Sequence, residues 1–128
     1  MITEYEHQVR VRYQETDGQA RVHHANYANY FELARTEMLR TAGFSYQKME
    51  QSGLLLVVAE IEIKYFLPAN FDDLLQIQIR TTKAKGARIE HHYEVICEGN
   101  KLAQGRTLLA CINREGKPQP LPEHLRIS

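Results

Sequence analysis

One stretch of this 128-residue chain, from Ala25 or Asn26 to Ala42, repeats its apolar residues at spacings of three and four; elsewhere the pattern mostly alternates. Tyr27, Tyr30, Phe31, Ala34, Met38 and Ala42 fall on one side of a helix of about four turns. Glu32, Arg35, Thr36 and Arg40 fall largely on the other side, and Gly43 follows as a C-terminal cap. With one long helix and several half-buried strands, the apolar stripe must be buried against a sheet. The aromatic stripe therefore reads as core, with Tyr27 at its start also a candidate substrate contact.

Residues 4–13 place Tyr5, His7, Val9, Val11 and Tyr13 on one face and Glu4, Glu6, Gln8, Arg10 and Arg12 on the other. This predicts a half-buried strand with Tyr13 on the core side at its end. After a connecting piece around Ser45–Ser52, the apolar run Leu54–Ala59 passes into an alternating Glu60–Tyr65, a long strand buried at first and half-exposed later. Pro68 and Asn70–Asp73 break it. Leu75, Ile77, Ile79 and Thr81 mark a third strand, and Lys83–Gly86 turns the chain. Ile89, His91, Tyr93, Val95 and Cys97 mark a fourth strand, and Leu102–Asn113 a fifth. Gly99-Asn100 reads as a two-residue hairpin turn pairing Glu98 with Lys101 and Cys97 with Leu102. The order predicts an α+β fold, a five-stranded antiparallel sheet packed against one long helix. One sheet face and two edges are left uncovered, which dimerisation would remedy.

Residues 1–128 are read as a single domain, large enough to bury roughly two-thirds of the surface its unfolded form exposes. Sixteen basic residues balance sixteen acidic ones, so the overall field attracts neither nucleic acid nor an anionic membrane. No apolar run is long enough for membrane insertion, and the start, Met1–Glu6, is polar and acidic where a secretory signal needs a basic and then an apolar segment. A cytoplasmic location is expected. Cys97 and Cys111 have neither disulfide-scaffold nor zinc-site spacing and read as reduced thiols.

The chemistry concentrates between the first strand and the helix, where Tyr13-Gln14-Glu15-Thr16-Asp17 leads through Gly18–Val22 to His23-His24-Ala25-Asn26-Tyr27. One carboxylate and two imidazoles lie beside a helix N-terminus, where unpaired N–H groups and the positive dipole end collect. That combination suits attack on a carbonyl. Asp17 before Gly18 also fits a turn or cap residue. His23 and His24 with His91 and His92 make a poor metal set, because adjacent strand residues point to opposite faces; no metal site and no cofactor are expected.

Val11-Arg12-Tyr13-Gln14-Glu15-Thr16-Asp17, His24-Ala25-Asn26-Tyr27 and Phe31–Arg40, followed by Tyr65-Phe66-Leu67-Pro68-Ala69, carry a resemblance. They resemble the hotdog-fold acyl-CoA thioesterases of the 4-hydroxybenzoyl-CoA thioesterase superfamily, especially its Tol-Pal-associated branch. The resemblance implies a hotdog fold, hydrolysis of an acyl-CoA thioester, and a homodimer or homotetramer with sites at subunit interfaces. It places the catalytic carboxylate on Asp17, as base or nucleophile, and the backbone N–H that polarises the thioester carbonyl on His24, with Tyr13 as a further site residue. The family usually has glycine three residues after the aspartate. Here Ala20 stands there, and a loop needing positive φ at that point is strained by alanine. Lys83, Lys85 and Arg88 suit the phosphates of coenzyme A, or else simply a solvated turn. A non-hydrolytic thioester- or protein-binding module and a hydratase or dehydratase are the alternatives, since one fold hosts several functions.

Overall fold

The computed structural model describes residues 3–127. Strand β1 spans Glu4–Arg10, helix α1 Asn26–Thr41, helix α2 Tyr46–Gln51, β2 Leu55–Tyr65, β3 Leu74–Lys85, β4 Arg88–Cys97 and β5 Asn100–Ile112. Short 3-10 turns lie at Tyr13–Glu15 and Glu123–Leu125. The strands form one antiparallel sheet in the order β1-β3-β4-β5-β2, and one long helix packs on it. This is the expected α+β hotdog architecture.

Helix α1 forms where the period of three and four predicted it. Tyr27, Tyr30, Phe31, Ala34 and Met38 are all buried, and Phe31 stacks on Tyr93 of β4 with ring centroids 4.2 Å apart. Gly43, at φ 86°, ends the helix in the left-handed conformation that glycine adopts without steric cost. The inward faces of β3 and β4 follow parity, with Leu75, Ile77, Ile79, Ile89, Tyr93 and Val95 all buried.

Tertiary structure overrides the local pattern at several places. The first strand ends at Arg10 rather than at residue 13, because Arg12 and Glu15 bond to each other across a 3-10 turn. The connecting piece 45–52 contains α2, with the Ser45 hydroxyl accepting from the Lys48 N–H. Strand β2 is not buried at its start: it is a sheet edge, with Val57, Val58 and Ile61 exposed. The β4–β5 turn falls one residue earlier than expected, so Cys97 pairs with Asn100 and Ile96 with Lys101. Glu98 and Gly99 both adopt positive φ, 50° and 78°, the backbone that a two-residue hairpin twist requires.

Arg35 and Ala42 exchange their expected roles, since Ala42 is exposed and Arg35 is buried beneath α1. The Arg35 Nη1 donates to the Tyr93 hydroxyl at 2.9 Å, which shares a 2.6 Å hydrogen bond with the Thr107 Oγ1. Thr81, His91 and Thr107 face each other across β3, β4 and β5, forming a polar row inside the core. Among the described residues, Arg35 Nε, Thr81 Oγ1 and both His91 ring nitrogens have no hydrogen-bond partner.

Candidate active site

The chain from Glu15 to His23 folds back on itself as a narrow loop laid against the start of α1. Thr16 bridges Val22, the Asp17 N–H donates to the Arg21 carbonyl at 2.8 Å, and the His23 N–H donates to the Glu15 carbonyl at 2.8 Å. Ala20 at the loop tip has φ 63°, the left-handed conformation expected where the family has glycine. Asp17 Oδ1 accepts from the Gln19 N–H at 2.8 Å and the Arg21 N–H at 3.4 Å. Those donors, that of Gln19 foremost, hold its carboxyl below the usual carboxylate range, so Asp17 is ionised at neutral pH. Asp17 thus does organise the turn, and among the described residues its Oδ2 takes no hydrogen bond.

Helix α1 begins at Asn26 without a side-chain cap, since Ala25 occupies the cap position. Around it the amides are spoken for: Asn26 N–H donates to the His23 carbonyl, Tyr27 N–H to the His24 carbonyl, and Ala25 N–H to the His23 Nδ1. Among the described residues the His24 N–H alone, within 23–27, has no acceptor. It is an amide at this positive helix end free for a developing oxyanion. The His24 ring lies stacked on that of His23, with centroids 4.2 Å apart. The His24 carbonyl accepts from the Tyr65 hydroxyl at 2.9 Å, pinning the end of β2 to the helix start.

Tyr13 does not lie on the core side. It sits on the 3-10 turn, 76% exposed, with its ring edge-on to Phe71. Tyr27 is buried, with its ring against Tyr30 and Tyr65, so within this chain it supports the site from beneath rather than lining it. Lys83, Lys85 and Arg88 are exposed at the β3–β4 turn. That turn lies at the far end of β3 from Leu74, about 30–37 Å along the strand. Leu74 is the end near the loop, because Asn70 bridges Arg21 and the Val11 N–H donates to the Asp73 carbonyl. The fold of a single chain therefore does not bring the basic turn to Asp17.

Two residues emerge that sequence reasoning passed over. Glu15 is 8% exposed, and its carboxylate accepts from the Arg12 N–H and side chain and from the Tyr30 hydroxyl. Tyr65 braces His24. For Glu15, the available signal was its spacing of three from Arg12 at a strand end.

The family model described as the thioesterase-like superfamily matches residues 11–127. The acyl-CoA thioester hydrolase YbgC of Escherichia coli O6:H1 is 34% identical over 119 residues, covering 91% of this chain and 89% of that protein. The crystal structure of a probable thioesterase from Bartonella henselae superposes with a TM-score of 0.87 at 35% identity, covering 93% of this chain and 99% of that one. A 1,4-dihydroxy-2-naphthoyl-CoA thioesterase from Synechocystis superposes with a TM-score of 0.90 at 26% identity, covering 94% and 91%. With its motifs, its sheet order and a match over nearly its whole length, this chain belongs to the thioesterase-like superfamily of hotdog proteins.

Proposed function

We propose that this protein hydrolyses an acyl-CoA thioester to a carboxylate and free coenzyme A, with Asp17 and the His24 N–H as its reacting pair. The observation that carries the reading is the free His24 amide just before α1, next to a loop whose carboxylate keeps one oxygen unbonded. Asp17 takes a proton from water as the oxygen attacks the thioester carbon, and the carbonyl oxygen gathers negative charge against the His24 N–H. Collapse breaks the carbon–sulfur bond, and the proton passes from Asp17 to the departing thiolate. Direct attack by the carboxylate, with water opening the resulting anhydride, uses the same two groups. Assignment to the Tol-Pal-associated branch rests on the Val11–Asp17, His24–Tyr27, Phe31–Arg40 and Tyr65–Ala69 motifs.

The site is completed by a second copy. Exposed Val57, Val58 and Ile61 on the β2 edge continue into exposed Tyr65, Phe66, Leu67 and Phe71, an apolar strip along an unpaired sheet edge that a second copy would cover. A two-fold axis through residues 57–61 runs two β2 strands antiparallel, so that the Tyr65 end of one copy meets the Leu55 end of the other. Leu55 pairs with Ile112, and Ala110 with both Val57 and Arg88, which puts the basic turn at that same end of the sheet. Lys83, Lys85 and Arg88 then serve the coenzyme A phosphates of the neighbouring copy's site.

The test is release of free thiol from a panel of acyl-CoAs running from short aliphatic to aromatic acyl groups. Asp17→Asn should lower turnover by roughly 10² to 10⁴. Val58→Glu, on the edge, should yield a monomer by light scattering and lose activity with it. Full turnover in Asp17→Asn would overturn the mechanism, and an active monomer would overturn the shared site.

A further inference from the structure

We propose that Glu15 is a positioning residue for thioester attack, acting through Tyr30 and Asn26 to set the spacing between the Asp17 carboxylate and the His24 N–H. The inference rests on the catalytic reading above.

Glu15 lies two residues before Asp17, yet its bonds run to the strand exit and to the helix rather than to the loop tip. Its Oε1 accepts from the Arg12 N–H at 2.8 Å and from the Tyr30 hydroxyl at 3.0 Å. Its Oε2 accepts from the Arg12 Nε at 3.3 Å and Nη2 at 3.2 Å. The main chain of the same residue makes two further ties: its carbonyl accepts from the His23 N–H at 2.8 Å and from the Asn26 Nδ2 at 2.9 Å. One residue therefore ties together the end of the first strand, the loop, and both sides of His24.

A buried carboxylate is costly unless every oxygen is satisfied, and here the satisfaction is complete. The Tyr30 hydroxyl is an inward group on a fully buried side chain, and its proton is held more tightly than usual, first by burial and then by the Glu15 carboxylate. The arrangement has nothing to offer substrate directly, because Glu15 and Tyr30 face the core. Its effect falls on geometry. Catalysis by a base and an oxyanion donor depends on their separation, and a displacement of about 1 Å costs on the order of 10² in rate.

The experiment measures kcat and KM by thiol release for Tyr30→Phe, alone and combined with Asp17→Asn, with thermal melts of each variant. Tyr30→Phe removes one hydroxyl and keeps the ring. It should lower kcat roughly 10- to 100-fold with KM changed less than about twofold. In the Asp17→Asn background the same change should cost little more, because groups acting through one another are not additive. Wild-type kcat in a folded Tyr30→Phe would overturn the proposal, as would an equal fractional loss in both backgrounds, which is the mark of a merely structural role. Full turnover in Asp17→Asn would remove the catalytic reading itself and the proposal with it. Should Tyr30→Phe fail to fold, Asn26→Ala makes the same comparison through the Glu15 carbonyl.

Discussion

Gly105 on β5 lies directly beneath Phe31 of α1. A Cβ added at Gly105 would stand 2.7 Å from Phe31 Cζ and 2.9 Å from the backbone carbonyl oxygen of Glu62 on the neighbouring β2. The helix reaches the sheet at this point because residue 105 has no side chain, and that approach sets the seat of α1. Gly105→Ala should therefore destabilise the fold by about 1–3 kcal/mol, seen as a lower urea midpoint or melting temperature. Adding Phe31→Leu should return only part of the loss, since the Glu62 carbonyl cannot move aside as a side chain can. A variant as stable as the parent would show that the helix is not seated on Gly105.

The Asp17 loop carries backbone strain at one residue. Ala20 sits at φ 63°, a conformation costing a non-glycine residue about 1–2 kcal/mol. Glycine removes that cost but adds freedom to the unfolded chain, which takes back about 0.4–1 kcal/mol. Ala20→Gly should thus gain on the order of 0.5–1 kcal/mol in stability with turnover unchanged within about twofold. Chemical denaturation checks the first and thiol release the second. A less stable Ala20→Gly would mean the loop does not hold residue 20 in this conformation.

His91 is fully buried, and its imidazole is pushed down to about 3, first by burial and then by the charges of Arg35 and His92. Arg35 stays charged, while burial pushes the neighbouring Tyr93 and Tyr46 hydroxyls up, so of these four groups His91 is the one whose protonation on unfolding differs in mild acid. Below about pH 6.5 the unfolded chain binds a proton at His91 that the folded chain refuses until about pH 3. Stability from this residue is complete above pH 6.5 and is lost progressively down to pH 3, by about 2 kcal/mol at pH 5. Urea midpoints at pH 7.5 and 5 should therefore differ by less in His91→Gln than in the parent. Equal pH dependence in both would mean that His91 titrates normally.

Much of this protein was legible from residue order alone, because helix and strand periods, the Gly43 cap and the alternating faces of β3 and β4 are local properties of consecutive residues. The loop from Tyr13 to Tyr27 could likewise be singled out from its residue types, whereas the positive φ at residue 20 was implied only by the glycine that the resembled family has there, not by the alanine of this chain. What the tertiary structure decided is non-local. Strand order makes β2 an edge, so an apolar run that reads as buried is exposed. Arg35 sits on the polar side of its helix by pattern, yet it is buried because the Tyr93 hydroxyl on a distant strand, itself bonded to Thr107, accepts from it there. Tyr13 leaves the core side because the Arg12–Glu15 pair and Tyr30 turn the chain before the strand's parity reaches it. The distance of Lys83, Lys85 and Arg88 from Asp17 follows from sheet register, which depends on pairings between residues far apart in the chain; no local pattern encodes it.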